Sequence, residues 1–96
     1  PQALSEIEDI IKQFDVYMIK VCGLSDKTRI YHRRHVRYFL DYFFHQRPMC
    51  LDTLTPKSVL QFCYRNIKHY KIRSFGVFVY SIRCFFKFLQ FKGAID

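Results

Sequence analysis

At 96 residues, with half of them hydrophobic and 19% aromatic, the chain suits one domain with a single modest core and excludes a disordered segment. Sixteen Lys and Arg against eight Asp and Glu give a net charge of +8, which points to a polyanionic partner: nucleic acid first, an anionic membrane surface second. No apolar run approaches the roughly 20 residues of a membrane span, so a spanning protein is excluded.

The first predicted helix covers residues 3–22. Ile7, Ile11, Phe14, Met18 and Val21 recur at helical spacing and make one apolar stripe. Ser5 with Glu8 three residues on has the pattern of a capping box, which would delay the start to Glu6. Glu6, Glu8 and Asp9 read as a solvated first turn favoured by the helix dipole. Residues 1–22 are net acidic, carrying Glu6, Glu8, Asp9 and Asp15 against Lys12 and Lys20. Gly23 is the natural stop.

The second helix is predicted over residues 26–45, capped by Ser25 or Asp26. His32, Val36, Phe39, Leu40 and Phe43 share one face. Lys27, Tyr31, Arg34 and Tyr38 form a separate row, with Arg33 and Arg37 beside it. A loop over 47–54 follows. Thr55 and Pro56 mark the next start, Thr as cap and Pro at the first helical position. The third helix is predicted over 56–69, burying Val59, Leu60, Phe62, Cys63 and Ile67. The fourth is predicted over 74–92. Phe75, Phe78, Val79, Ile82, Phe85, Phe86 and Leu89 give it a wide apolar face, and Gly93 caps it. Gly76 costs about 1 kcal/mol relative to Ala inside a helix. It marks either a close helix approach or a late start. The joints are too short for domain linkers, so the expectation is one all-α bundle over residues 1–96.

Between Lys27 and Lys92 the only acids are Asp41 and Asp52, which puts the partner surface on the later helices. Arg and Lys neutralise phosphates, and Tyr hydrogen-bonds a phosphate or packs on a sugar. A rigid helix carrying such a row fits the DNA major groove. On the fourth helix Ser81, Arg83, Cys84 and Lys87 form a polar stripe, preceded by Lys71, Arg73 and Ser74. The ordinary alternative for any charge row is a wet face.

Catalytic chemistry has no foothold in the pattern. There are three glycines and neither a phosphate-binding loop nor an H-E-x-x-H. Cys22, Cys50, Cys63 and Cys84 lack paired ligand spacing, so no metal is expected. They read as reduced thiols in a cytoplasmic protein, with two disulfides in a secreted chain as the alternative. His32 reads as a packed imidazole rather than a ligand. No cofactor is implied.

The order of these pieces resembles a known family. Leu24-Ser25-Asp26-Lys27-Thr28, then His32-Arg33-Arg34-His35-Val36, then Phe39-Leu40, is similar to the second helix of the N-terminal core-binding domain of tyrosine recombinases and phage integrases. Leu54-Thr55-Pro56 is similar to the family's third-helix start. The run from Ser81 to Leu89, ending at Gly93-Ala94-Ile95, resembles its last helix. Two positions depart from the family pattern: His32 stands where Tyr is usual, and His35 where an acid is usual.

The resemblance implies a SAM-like fold of four helices in two crossed hairpins, an orthogonal bundle. It implies a non-catalytic domain that grips double-stranded DNA during integration and recombination, as in the integrases of mobile elements. The catalytic Arg, Lys, His and Tyr would lie in a following domain; the chain begins at Pro1 and ends at Asp96, as expected of a piece of a longer protein. Carried over by position, the DNA contacts would be Lys27, Thr28, Tyr31 and Arg34 on the second helix. Ser81, Arg83 and Lys87 would serve on the fourth, with Lys71, Arg73 and Ser74 where it begins. Other recombinase protomers would be partners through the first helix. Two readings compete: a helical protein-interaction module that assembles oligomers, and a basic amphipathic surface for acidic membranes.

Overall fold

The computed structural model describes residues 2–45, 47–66, 68 and 71–95, and omits the side chains of 2–5, 72 and 73. Among the described residues there are four α-helices and no strand. They are α1 (Gln2–Lys20), α2 (Asp26–Phe44), α3 (Pro56–Asn66) and α4 (Ile72–Lys92), with a 3-10 turn, Leu51–Thr53, between α2 and α3. The all-α expectation holds. Helix α1 starts at Gln2, so Ser5 is inside the helix and is not its cap. The three acids after it are correspondingly not a free first turn. Glu6 accepts a hydrogen bond from the Met49 backbone N–H at 2.9 Å, which ties the loop before α3 to α1.

The other termini follow the sequence signals. Ser25 caps α2, its Oγ accepting from the Thr28 N–H. Thr55 and Ser58 cap α3 reciprocally. The Ser58 N–H donates to Thr55 Oγ1 at 3.3 Å and the Thr55 N–H to Ser58 Oγ at 3.1 Å. Pro56 follows at the first helical position, where its missing N–H costs nothing. At the end of α4, Gly93 takes φ 81°, a left-handed conformation that a Cβ would strain. The Gly93 N–H then reaches the Gln90 carbonyl and the Ala94 N–H the Leu89 carbonyl, so two terminal carbonyls are satisfied. Helix α4 starts at Ile72, not at Ser74, and a Cβ at Gly76 would meet nothing within 4 Å. Gly76 therefore marks neither a late start nor a close approach.

Helix α2 is the centre of the bundle, packed on α1 along one flank and on α4 along the other. The core is dominated by rings. Phe14 of α1 meets Phe85 of α4 edge-on at 5.2 Å. Phe62 attaches α3: it lies 5.4 Å from Phe39, 4.9 Å from Tyr42 and 5.1 Å from Phe78. Ile7, Ile11, Phe14 and Met18 are buried as the stripe predicts. Val21 and Leu60 are not; they are 53% and 67% exposed, Val21 because α1 ends at Lys20 and Leu60 because it is two residues from Phe62, on the other side of α3. Ile67 lies outside the described residues.

Candidate nucleic-acid interface

The cations of α2 divide into two groups by what faces them. Along the flank against α1, Arg29 and Arg33 both reach Asp15, and Arg29 also pairs with Asp26. Arg37 meets Glu8 through two nitrogens, at 2.7 and 3.1 Å. Burial works to raise the Asp15 carboxyl, yet the two guanidinium hydrogen bonds outweigh it and hold it below the ordinary carboxylate range. The Arg37 hydrogen bond does the same to Glu8. Asp15 and Glu8 of α1, with Asp26 of α2, thus set three carboxylates against Arg29, Arg33 and Arg37. Arg37, which the sequence places beside the basic row, is occupied.

Lys27, Tyr31, Arg34 and Tyr38 lie on the opposite side of α2 from its buried residues, and all four are exposed. Among the described residues, Lys27 and Arg34 make no ion pair. The Arg34 guanidinium sits 5.7 Å from the centre of the Tyr31 ring. A cation over a ring face holds the two side chains as one unit, worth about 0.5–1 kcal/mol at an exposed site. Thr28 is half-buried, and its hydroxyl accepts from Ser25 Oγ at 3.1 Å as part of the helix cap. Tyr38 donates to Asn66 of α3 at 3.3 Å.

On α4 the expected residues separate. Arg83 and Lys87 are exposed, one turn apart. They border a groove between α3 and α4 of about 570 Å³ whose wall includes Val59, Leu60, Val79 and Phe86. Among the described residues no hydrogen bond or ion pair joins them to the Lys27–Arg34 row. Lys71 and Ser74 are exposed at the start of the helix, and the Arg73 side chain lies outside the described residues. Helix α4 carries no acid, so nothing on it neutralises these cations.

Ser81 corrects the sequence-based expectation. It is 0% exposed and cannot meet a ligand from solvent. Its Oγ lies 2.6 Å from His32 Nδ1 and 2.8 Å from His35 Nδ1, and it donates to the Val77 carbonyl at 3.2 Å. The residue is polar because it bridges α2 to α4. His32 is buried, as expected of a packed imidazole. Sequence reasoning passed over Tyr80, which is 60% exposed and sets its ring edge 5.3 Å from His32. Its only signal was being an aromatic off the apolar stripe of α4.

The four cysteines are free thiols. Burial raises Cys63 and pushes Cys84 up to about 11, so neither is poised as a nucleophile. Among the described residues no three His, Cys, Asp or Glu side chains converge as a metal site. No described helix is long and apolar enough to cross a membrane.

Comparison with known proteins places this arrangement. Neither curated proteins nor solved structures include a significant match. Residues 11–93 match the family described as Phage integrase, N-terminal SAM-like domain. That span takes in the paired flank of α2, its outward row and α4 to its glycine cap. The chain belongs to this family of phage-integrase N-terminal domains, which have a tyrosine-recombinase-related DNA-binding role and are not themselves catalytic.

Proposed function

We propose that residues 1–96 act as a single domain that holds duplex DNA through the outward faces of α2 and α4 within a tyrosine-type recombinase. Its catalytic residues would lie in a separate domain. Lys27 and Arg34 bind phosphates, and Tyr31 packs between them on the sugar–phosphate backbone. Arg83, Lys87, Lys71 and Arg73 extend the contact from α4, with Ser74 and Thr28 at the helix starts, where free backbone N–H groups favour phosphate. Ser81 is removed from the contact set. The partition of charge carries this reading: carboxylates hold Arg29, Arg33 and Arg37 on one flank of α2, while among the described residues Lys27 and Arg34 on the other make no ion pair.

The test is a pair of charge reversals, read by fluorescence anisotropy with labelled duplex at low salt. Arg34→Glu weakens binding more than Lys12→Glu on the acidic α1. The reverse order puts the surface elsewhere.

The exposed Leu60 on the apolar groove favours a second reading, a module that joins protomers. Light scattering with and without DNA separates the two. Assembly without DNA supports the second, and a monomer that binds duplex supports the first.

A further inference from the structure

Where α2 meets α4, two imidazoles share one hydroxyl. Ser81 Oγ has one hydrogen, which goes to the Val77 carbonyl, and its remaining capacity is to accept. Both His32 Nδ1 and His35 Nδ1 are in reach at 2.6 and 2.8 Å, so both donate. With both donating, each ring carries a hydrogen on Nδ1, and in the neutral form its Nε2 holds none. For His32 that Nε2 is buried without a hydrogen-bond partner among the described residues. A proton arriving there makes a cation in the interior with nothing to receive its N–H.

Among the described residues the surroundings offer no compensation. From α4 the facing groups are Ser81, Phe78 and Tyr80, and the helix has no acid. From α3 the nearby polar group is Asn66, which accepts from Tyr38, and that helix too lacks an acid. The acids of α1, Glu8 and Asp15, are on the other flank and held by Arg37, Arg29 and Arg33. On α2 itself the neighbouring charge is Arg34, which opposes a second cation at His35.

We propose that His32, His35 and Ser81 form a proton-sensitive clasp that sets the spacing of α2 and α4, so that acid opens the clasp and releases DNA. The three are positioning residues, and the proposal rests on the reading of α2 and α4 as the DNA-holding helices. Burial disfavours the protonated form of both rings, in His35 with help from His32 and Arg34. The clasp is therefore intact above the ordinary histidine range, near pH 6.5, and is lost as pH falls below it. This runs against ordinary electrostatics, in which protonating surface histidines strengthens DNA binding.

The experiment compares the 96-residue chain with the double variant His32→Asn, His35→Asn. Asn keeps an N–H donor near the Nδ1 position and cannot titrate. Binding to labelled duplex at constant ionic strength is measured from about pH 7.5 to about pH 5.5. Wild type loses affinity as the pH falls, and the double variant loses none. Identical pH profiles for the two proteins overturn the proposal. Wild-type imidazole titration by NMR keeps the test decisive if the double variant does not fold. Both rings then protonate below the ordinary histidine range; a titration within that range overturns the clasp. If wild type binds no duplex at any pH, the DNA reading itself fails. The clasp is then judged alone by thermal unfolding, where acid lowers wild type's melting temperature and an unchanged one refutes it.

Discussion

Two arginines on one helix, three residues apart, have different roles. Arg37 is spent on Glu8 at a half-exposed pair. Such a pair contributes about 0–1 kcal/mol after solvent screening and side-chain entropy. Arg34 has no carboxylate partner among the described residues and lies over Tyr31. Arg34→Ala should weaken duplex binding and remove about one unit from the salt slope, as expected of one phosphate contact. Arg37→Ala should leave both nearly unchanged and cost at most about 1 kcal/mol in urea unfolding. Equal losses at the two positions would mean that the ion pair does not sort the cations. Ser81 shows why the sequence misleads at this scale. A Ser two residues before an Arg, between the apolar positions of a helix, reads as part of a polar stripe. Its polar needs are met by histidines 46 and 49 residues away, which no local pattern records.

The helices were the most legible part of the chain. Cap chemistry is local, so Ser25, Thr55–Pro56 and Gly93 could be read directly from neighbouring residues. Periodicity identifies a face but not where the helix ends or how wide its packed side is, which is why Val21, beyond the end of α1, and Leu60, across α3 from Phe62, are exposed. The start of α1 lies one residue from the expected residue 3; only the alternative start at Glu6 fails, because Ser5 and Glu8 match a cap pattern that the helix runs through. Two substitutions check the account of the elements. Thr55→Ala removes the side-chain acceptor at the start of α3 and should cost about 1 kcal/mol in chemical unfolding. Gly76→Ala lies in open space on α4 and should gain up to about 1 kcal/mol. Destabilisation there would reveal crowding that the structure lacks.

At the scale of the molecule, one ring cluster and one charge partition determine what the fold presents. Phe62 is the ring by which α3 joins the core, so Phe62→Ala should cost about 3–5 kcal/mol, a large share of the stability of a small domain. Acid should act in two stages. His32 and His35 are depressed, so the unfolded chain binds their protons more readily and stability falls as pH drops below about 6.5. Glu8 and Asp15 are also depressed, so their contribution is present above the ordinary carboxylate range and is lost as pH falls through their lowered values. Melting temperature against pH should show both descents, the histidine one first.

The charge surplus that first suggested a polyanion is, in the folded chain, an uneven one, with carboxylates holding the arginines on the α1 side of α2. The claim that the opposite side holds DNA phosphates is tested most directly by titrating the 96-residue chain with labelled duplex at two salt concentrations. Affinity should fall on raising the salt, by roughly 0.9 in the log–log slope for each phosphate neutralised. Equal binding at both concentrations, or none at the lower, would contradict the account.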